Sequence, residues 1–596
     1  MKIKKQIIAL VCALTMVLTT VLTGCGSSGD GSSKESGSQA VSSSAQQSEA
    51  ASSSAQEQEQ ATAEAGKPSR IGNGEKLVIG MVDNSLITDY EDNYLTKKLE
   101  EDLNVDLEIV PLPSGEFATK VSMMLASGEE LPDIIMGKLS HETVYEYGAQ
   151  GYFLPLNEYL EDPQLSPNWQ AMPEDVREKM LQVMTSPVDG NIYALAGYSP
   201  MTWNMSAFRM FINREWLEVL NLEMPTTTDE LYEVLKAFAN EDPNGNGLKD
   251  EIPVYGIAGN GRTYGMNTVW ALMNSFVFYN GRQQNGGLAL DDTGKTVIAP
   301  FTTEEWRQGL EYLRKLCSEG LLPASVFTDD ATQYKAMLNA ETPVVGLVCS
   351  GALENYTDYE NNKNLQQMEL VPPFTGPEGV AYTPTIGLEP EMRSYITTDC
   401  ENPELAYALC EYFYDRTMTL IGRYGEEGVD WTTDPEALAG YPSAEADSGI
   451  TDTLVMINYK TDVNIWGSPS NKFWRAVQNF AYSWGDHGEI DATIEKEEIR
   501  NSVNYKVRLS FYENYADKHP EYLLPGKLVY AAENMDEAAN LKTDICSLVD
   551  SSTAEFITGQ RELSDAGWQE YLDSLDALGL ERYLEISQAA YDRMTQ

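Results

Sequence analysis

Oxygen-bearing side chains recur at alternate positions between residues 242 and 251, where they surround a tight Asn–Gly turn. This spacing matches the first half of an EF-hand-type calcium loop, in which Gly247 allows the sharp bend. The twelfth position is Pro253 instead of the usual Glu, so neighbouring carboxylates must close the site. The predicted ligands are Asp242, Asn244, Asn246, the Leu248 carbonyl, Asp250 and Glu251. Because all-oxygen ligands favour Ca²⁺ over transition metals, we predict a structural Ca²⁺ site, with a metal-free polar turn as the alternative.

The start of the chain carries a second chemical signal, a cysteine at the end of a signal peptide. Basic residues precede an apolar run over 7–21, which is too short and wrongly flanked for a stable membrane span. The run ends in the order Leu-Thr-Gly before Cys25, which resembles a bacterial lipobox, whose cysteine is acylated (for example with palmitate) and becomes the new N-terminus. We therefore predict that 1–25 is a lipoprotein signal peptide and that Cys25 is lipidated. An ordinary cysteine near a cleavage site is the alternative.

Residues 26–72 are mostly Gly, Ser, Ala, Gln and Glu, without an aromatic side chain. Such a segment cannot bury enough apolar surface to offset its ordering entropy, so we predict a disordered, flexible tether. With two or more acyl chains on Cys25, the tether would hold the folded body, 73–596, at a membrane.

The charge balance restricts the partners. The chain has 92 Asp and Glu against 41 Lys and Arg, a net charge of −51. A nucleic-acid partner is not expected, because phosphates bind clusters of Lys and Arg. The five cysteines after Cys25 are scattered and odd in number, so no disulfide framework is indicated. We expect most of the 10 Trp and 33 Tyr residues to be buried in the hydrophobic core. Any that are left on a concave surface could stack on sugar rings.

The sequence contains no recognisable set of catalytic residues. His141, His487 and His519 are isolated, so they do not form a zinc-binding pair. The folded body has no Gly-x-Ser-x-Gly nucleophile motif. A glycosidase needs only two carboxylates, and 92 acidic residues leave that alternative open. The balance favours a binding protein over an enzyme.

Alternating strand and helix patterns must position these groups. The predicted strands cover 76–82, 105–111 and 132–136, and the predicted helices between them cover 91–103 and 117–125. Capping boxes predict later helix starts at Thr227 with Glu230 and at Thr302 with Glu305. This alternation is typical of an α/β lobe with a mostly parallel sheet, and the second half of the chain is richer in helix.

Several segments, taken in order, resemble the extracellular solute-binding proteins of ABC importers. They are 120–134 (KVSMMLASGEELPDI), 151–156 (GYFLPL), 189–195 (DGNIYAL), 212–217 (INREWL), 225–227 (PTT), 556–559 (FITG), 568–571 (WQEY) and 588–591 (QAAY). The likeness covers nearly all of 75–596 and is specific to the family, not to a ligand. The calcium loop lies where some large oligosaccharide-binding members carry one.

The resemblance implies an α/β, two-lobed periplasmic-binding-protein-like fold with a central cleft and a helix-rich C-terminal part. Lobe 1 is expected mainly in 73–195 with a returning segment around 345–430, and lobe 2 in 196–344 with 431–596. The lobes would close on a solute and present it to the permease. Size and aromatic content favour an oligosaccharide over single amino acids or metal ions, with a peptide or another organic solute as the alternative. We expect a lipid-anchored monomer on the outer face of a Gram-positive cell membrane.

Ligand sites in this family lie in loops at the strand ends that face the cleft. The predicted ligand contacts are Asp83, Asn84, Glu116, Trp203, Tyr264, Trp270, Trp431 and Trp466. For each tryptophan the alternative is core packing, and for Glu116 it is an exposed charge in the first turn of a helix. Arg209 and Arg262 are further candidates if the sugar carries a carboxylate.

Overall fold

A computed structural model describes residues 64–595 apart from 129, 259–264, 283, 386–387, 451, 458–468 and 475–480. These residues belong to a unit that spans Thr62–Gln596. The strands are β1 (Glu75–Val82), β2 (Val105–Leu112), β3 (Ile134–Met136), β4 (Leu195–Gly197), β5 (Met210–Asn213), β6 (Ile252–Tyr255), β7 (Ala289–Leu290), β8 (Val297–Ile298), β9 (Val345–Cys349), β10 (Met368–Val371), β11 (Glu391–Ile396), β12 (Trp431–Thr432), β13 (Thr453–Met456) and β14 (Gly488–Asp491). The helices are α1 (Tyr94–Leu103), α2 (Phe117–Ser127), α3 (His141–Ala149), α4 (Asn157–Glu161), α5 (Pro167–Ala171), α6 (Glu174–Met184), α7 (Thr202–Met205), α8 (Arg214–Val219), α9 (Thr228–Asn240), α10 (Thr268–Met273), α11 (Glu304–Ser318), α12 (Ala331–Leu338), α13 (Lys363–Gln366), α14 (Pro403–Tyr412), α15 (Arg416–Tyr424), α16 (Pro435–Leu438), α17 (Ala444–Asp447), α18 (Val503–Asn514), α19 (Met535–Thr558), α20 (Asp565–Ala577) and α21 (Leu580–Met594).

The first sheet has the strand order β2-β1-β3-β11-β4. β1, β2 and β3 are parallel, and β11 is antiparallel to both of its neighbours. Leu77, Ile79 and Met81 alternate along β1 and are fully buried, as a period of two requires. Leu95 and Leu99, one turn apart on α1, lie in the same core. Replacing Leu99 by Ala would cost about 2–5 kcal/mol through lost packing.

The second sheet has the strand order β10-β5-β9-β6. All five residues of β9 are buried, as expected for a strand that is covered on both faces. The predicted capping box of Thr227 and Glu230 is confirmed at the start of α9. The box predicted at Thr302 is wrong by one residue, since Thr303 caps α11 after a 3-10 turn.

The helix-rich C-terminal part is confirmed, and it belongs to the second core. α19 packs along α11, and α21 packs against α19. The rings of Phe556, Trp568 and Tyr571 lie within 6.3 Å of one another, centroid to centroid. Aromatic burial of this kind anchors the terminal helices to the second core.

The two sheets belong to separate hydrophobic cores, so the predicted two-lobed α/β fold is confirmed. The first crossing segment, 198–209, leads from β4 to β5, and the second, 372–390, leads from β10 to β11. A third, 483–502, passes through a small sheet of order β12-β13-β14 and enters α18.

The crossing segments define one edge on each sheet. On the first-sheet edge, β1, β2, β3 and β4 end and β11 begins. On the second-sheet edge, β6, β9 and β10 end and β5 begins. Because the crossings connect these two edges, a ligand cleft between the lobes must be bounded by them.

The cores correct the lobe boundaries expected from the sequence. β9 and β10 lie in the second lobe, because both pair with β5. After residue 430, the chain contributes instead to the first core through Trp431, Leu454, Met456, Trp474, Ala481 and Tyr482. The Trp474 indole N–H donates to the Thr96 hydroxyl at 2.8 Å.

The folded body begins earlier than the expected tether end at residue 72. The Gly66 amide donates to Asn168 Oδ1 at 2.7 Å, and the Gly72 amide donates to the Leu103 carbonyl at 2.7 Å. Residues 66–72 are therefore tied to the first lobe.

Within the described ranges, no helix combines the length and apolar character that a membrane crossing needs. The cysteines found there are all free: Cys317, Cys349, Cys400, Cys410 and Cys546.

Candidate functional site

Asp83 and Asn84 directly follow β1 on the first-sheet edge. The Asp83 amide donates to the Leu112 carbonyl at 2.7 Å, which ties this loop to the end of β2. The Tyr90 hydroxyl lies between the pair: it donates to Asp83 Oδ1 at 3.4 Å and accepts from the Asn84 amide at 3.2 Å. Asn84 Oδ1 accepts from the Leu86 amide at 3.0 Å. These bonds hold the exposed Asp83 carboxylate at a fixed position on the edge.

Glu116 lies on the same edge, in the loop after β2. It ends a 3-10 turn, Ser114–Glu116, and immediately precedes α2. Its side chain is exposed. Both a ligand contact and a charge that complements the positive end of α2 are compatible with this position.

Trp203 lies in the first crossing segment and is half-buried. The Arg209 guanidinium stacks on its indole, with the guanidinium carbon 3.4 Å from the ring centroid. Phe511 meets the same indole edge-on, with ring centroids 5.0 Å apart. The cation–π contact and the packing hold the Trp203 ring in place, but they also cover part of its surface.

The Arg209 side chain binds main-chain carbonyl groups of the protein itself. This side chain is 1 % exposed and donates to the Gly351 carbonyl at 2.6 Å and to the Trp203 carbonyl. These bonds join the first crossing segment to the loop after β9. This corrects the suggestion that Arg209 pairs with a sugar carboxylate, because its guanidinium serves the protein's own carbonyls.

A buried ion network lies beside Trp203. Arg508 lies 4.9 Å from the Trp203 ring centroid and pairs with Glu445 at 2.5 Å and with Glu489 at 3.3 Å. Arg423 contacts Glu489 at 3.5 Å. Burial alone would raise the pKa of the Glu489 carboxyl, but Arg508 and Arg423 lower it to about 2. Glu489 thus stays charged, and the network joins α15, α17, β14 and α18.

The first and third crossing segments are also bonded to each other. The Asp486 carboxylate accepts from the Thr202 amide at 2.7 Å and from the Thr202 hydroxyl. The Ser483 amide donates to the Tyr198 carbonyl at 2.9 Å. Motion at these crossings must therefore involve both segments together.

Trp270 lies on α10, near the second-sheet edge, and is half-buried. Its ring centroid is 6.1 Å from that of Phe208 in the first crossing segment and 5.8 Å from that of Tyr279. Gly281 has φ +76°, and a Cβ there would lie 2.3 Å from a Trp270 ring carbon. A glycine at this position lets the backbone approach the indole closely.

Trp431, another predicted contact, does not reach this group. Trp431 is 1 % exposed in the first core, and its indole N–H donates to the Gly425 carbonyl at 2.9 Å. We therefore remove Trp431 from the candidates, because neither ring face is open to a solute. Tyr264, Trp466 and the arginine Arg262 lie outside the described residues.

An ion cluster that the sequence does not reveal lies at the first-sheet edge. Glu391, at the start of β11, pairs with Lys138 at 2.5 Å, with Lys527 at 2.7 Å and with Arg393. Burial and the neighbouring Lys527 lower the pKa of Lys138 to about 8. Lys527 comes from the segment between α18 and α19, so the cluster connects second-lobe chain to the first lobe.

The loop over 242–251 has the turn that its sequence predicts. Gly247 has φ +77°, and its amide donates to Asp242 Oδ2 at 2.9 Å. The side-chain amides of Asn244 and Asn246 donate to the Asp250 carboxylate at 3.0–3.1 Å. Glu251 Oε1 is buried without a hydrogen-bond partner. Across the described chain no three His, Cys, Asp or Glu side chains already form a metal-binding group.

These residues nevertheless fit a cation by their chemistry. The loop offers carboxylates, two amides and a main-chain carbonyl, which is the donor set of a hard cation. The side-chain amides of Asn244 and Asn246 direct their N–H dipoles at the Asp250 carboxylate, where a cation could take their place. The buried, unpartnered Glu251 oxygen also lacks the positive partner that a cation would provide.

The family profile described as bacterial extracellular solute-binding protein matches residues 84–416, more than half of the chain. The chain belongs to this family. This solute-binding protein is similar to the fructooligosaccharide ABC transporter substrate-binding protein FusA of Streptococcus pneumoniae serotype 4, with 24% identity over 85% of this chain and 88% of FusA.

Two solved structures have the same fold as this solute-binding protein. One is an HMO-binding, ABC-transporter-associated solute-binding protein from Bifidobacterium longum infantis, with a TM-score of 0.69, 21% identity, and coverage of 87% of this chain and 99% of that one. The other is an EF-hand mutant of S. pneumoniae FusA in complex with fructo-nystose, with a TM-score of 0.65, 23% identity, and coverage of 87% and 99%.

The sequence reasoning missed the residues that join the crossing segments of this solute-binding protein. Asp486 meets Thr202, and Arg508 meets Glu445, across long stretches of chain. Contacts between such distant positions leave no local spacing to detect.

Proposed function

We propose that this protein captures an oligosaccharide between its two lobes and delivers it unchanged to the permease of an ABC importer. The supporting observation is that the crossing segments, the first of which carries Trp203, join the edge with Asp83 and Asn84 to the edge near Trp270. Carboxylate and amide groups bind sugar hydroxyls, and ring faces pack against the apolar C–H faces of sugars. The similarity to FusA, named for fructooligosaccharides, supports the same ligand class.

Binding in this proposal changes a conformational equilibrium and breaks no bond. A ligand that contacts both edges stabilises the closed arrangement of the lobes, since only that arrangement satisfies both sets of contacts. The bonds of Arg209 and Asp486 keep the crossing segments ordered before the ligand arrives. Order of this kind reduces the entropy lost on binding.

Titration calorimetry with a panel of oligosaccharides and peptides, followed by chromatography of the recovered ligand, tests the proposal. We expect one-site binding of an oligosaccharide, recovered intact. Binding of peptides alone would contradict the carbohydrate assignment. Shorter sugar products would instead indicate a glycosidase.

A matched pair of variants tests the first-sheet edge. Asp83→Asn should weaken the binding of the oligosaccharide about tenfold, because it removes a charged hydrogen-bond acceptor. Asp292→Asn makes the same change at an exposed turn after β7 and should leave the affinity unaltered. Equal affinities of the two variants would exclude Asp83 from the ligand site.

We further propose that the 242–251 loop binds a structural Ca²⁺. Asp242, Asp250 and Glu251 would supply carboxylates, and the Leu248 carbonyl a main-chain oxygen. Asn244 and Asn246 would turn their amide oxygens to the ion. The ion would neutralise the three carboxylates and fix the connection between α9 and β6. The EF-hand named in the FusA variant supports such a loop in the family.

The lipid anchor is also a proposal, since Cys25 and the sequence up to residue 63 lie outside the described residues. We propose that cleavage exposes Cys25, that acyl chains hold it in the outer face of the cell membrane, and that the tether ends near residue 64. The anchored protein would act as a monomer. Labelling with an alkyne palmitate analogue should modify the wild type and not Cys25→Ala, and the variant should be released from the membrane fraction.

A further inference from the structure

Three cations from both lobes surround the Glu391 carboxylate at the start of β11. Lys138 follows β3 on the first-sheet edge, and Arg393 lies on β11 in the same lobe. Lys527 belongs to the second lobe, because its neighbour Leu528 is buried in the second core. Lys138 and Lys527 lie 2.5 and 2.7 Å from Glu391 Oε1, and Arg393 pairs with the other carboxylate oxygen. This cluster therefore lies where the two lobes meet.

Positive charge exceeds negative charge around this cluster. Beside it, Lys179 of α6 pairs with Glu389 at 3.5 Å. Lys542 of α19 interacts electrostatically with Glu142 of α3 and with Lys527. The cluster and these two pairs together hold five cations and three carboxylates, in a protein whose net charge is −51. Partly buried positive charge in excess is costly, and an anion from a ligand would offset it.

The cluster also has hydrogen-bond donors that its own carboxylate does not use. The side chains of Lys138 and Lys527 are 37% and 30% exposed, so a solute can reach them. Each ammonium group has three N–H groups and donates one of them to Glu391. Arg393 Nε and His141 Nε2 are buried without hydrogen-bond partners. These four side chains can therefore bind an anion in addition to Glu391.

His141 adds polarity to the site without adding charge. Burial and the neighbouring Lys527 lower the pKa of His141 to about 3, so its imidazole is neutral and can present a ring N–H. The α3 helix begins at His141, and its positive end favours an anion, although Glu142 in the first turn offsets part of this effect. Burial and Lys527 also lower the pKa of Lys138 to about 8, which indicates that the positive charge here is not fully compensated.

We propose that this cluster is an anion subsite of the cleft, which binds the carboxylate or sulfate group of an acidic oligosaccharide. The inference rests on the proposed carbohydrate-binding function and narrows its ligand class. Because Lys138 and Lys527 come from opposite lobes, an anion that both of them hold stabilises the arrangement that brings the lobes together. Asp83, at the end of β1, remains available for the hydroxyls of the same sugar chain. The negative charge of the rest of the protein is screened over about 8 Å at physiological salt, so the nearby cations determine the local preference.

The test compares acidic and uncharged oligosaccharides of equal length by titration calorimetry. The panel holds oligogalacturonates and their methyl esters, sulfated galacto-oligosaccharides and their desulfated forms, and fructo-, gluco- and manno-oligosaccharides. We expect the tightest binder to be acidic and to bind about tenfold tighter than its own uncharged form, because it gains hydrogen bonds between charged groups. Its affinity should fall at least about threefold between roughly 20 and 300 mM NaCl, since salt screens charged pairs. The tighter of the uronate and the sulfated sugar identifies the anionic group, and either one supports the inference.

Variants of the cluster assign this preference to its residues. Lys138→Gln and Lys527→Gln should each reduce the preference for the acidic sugar over its uncharged form to less than about threefold. Glu391→Gln should instead tighten the binding of the acidic sugar, because it removes the carboxylate that competes for the same donors. Lys335→Gln, which changes an exposed lysine on α12, is the matched control and should leave the preference unaltered. A cluster that is only structural would lose stability in the three cluster variants without a change in the preference.

The outcomes separate this inference from the function beneath it. If an uncharged sugar binds tightest, or if the uncharged forms bind as tightly as the acidic ones, the inference is overturned while carbohydrate capture stands. An acidic preference that persists unchanged in both lysine variants would also overturn it. If no sugar of either class binds, the proposed function fails and the inference fails with it.

Discussion

Glu251→Gln should change stability with opposite signs in the presence and absence of calcium. Glu251 Oε1 is buried without a hydrogen-bond partner, and burial, with Asp250 and Asp242 nearby, raises the pKa of the Glu251 carboxyl. A neutral amide at this position removes like-charge repulsion. We therefore expect the metal-free variant to match the wild type or to exceed its stability by up to about 1 kcal/mol.

Calcium should reverse this order. For a modest extracellular-type site with a Kd of about 0.1 mM, roughly 10 mM Ca²⁺ would stabilise the wild type by about 2.7 kcal/mol. A tenfold loss of affinity on removal of one carboxylate would halve that gain, since each tenfold step corresponds to about 1.4 kcal/mol. Calcium should then favour the wild type by about 1.3 kcal/mol, or by about 0.3 kcal/mol if the metal-free variant is more stable by the full amount of about 1 kcal/mol.

Thermal and urea unfolding of both proteins, in chelator and in calcium, measures these differences. Glu241→Gln is the matched control, because Glu241 is an exposed acid directly before the loop. The control should respond to calcium like the wild type. The reasoning is refuted if exhaustive chelation leaves the wild-type transition unchanged, or if calcium stabilises Glu251→Gln as much as it stabilises the wild type.

Four further changes test the site and the fold. Trp270→Ala should weaken oligosaccharide binding about three- to tenfold by calorimetry, and an unchanged Kd would remove Trp270 from the site. Gly281→Ala should lower unfolding stability by about 1–3 kcal/mol, because its Cβ would strike the Trp270 ring at positive φ, and a wild-type Tm would contradict this contact. Arg209→Met should cost about 2–4 kcal/mol by leaving two carbonyl oxygens without donors and should shift tryptophan fluorescence, whereas an unchanged spectrum would argue against the stacked pair. Burial raises the pKa of the Glu411 carboxyl to about 7, so the folded state holds this proton more tightly than the unfolded state. Stability should then rise by up to about 3 kcal/mol as pH falls from about 8 to about 5. Glu411→Gln should lack that rise, and a pH profile identical to the wild type would contradict the raised pKa.

Local signals predicted local structure well. The strand over Glu75–Val82, the capping box at Thr227 and the glycine turn at Gly247 depend on a few neighbouring residues, and the structure contains them. The two-lobed fold was predicted from the family resemblance. Short motifs that occur in a fixed order identify a fold even when each motif alone is weak evidence. The order of β9 and β10 in the second sheet could not be foreseen, since strand pairing is decided by distant partners.

The contacts of the candidate-site side chains were even harder to predict from the sequence than the strand order. Trp431 follows a Gly-rich stretch and so looks like an exposed loop platform, yet it pairs with Met456 in the first core. Arg209 looks available for a ligand, yet it folds back on Trp203 and on the loop after β9. In both cases tertiary packing determines what the residue can contact, and no spacing in the chain encodes it.

A crystal structure with the tightest-binding oligosaccharide tests the central claim most directly. The account predicts one intact sugar chain between the lobes, in contact with Asp83 or Asn84 on the first-sheet edge and with Trp270 or Trp203 near the crossing. A sugar bound on an outer face of either lobe, or density for cleaved fragments, would contradict it.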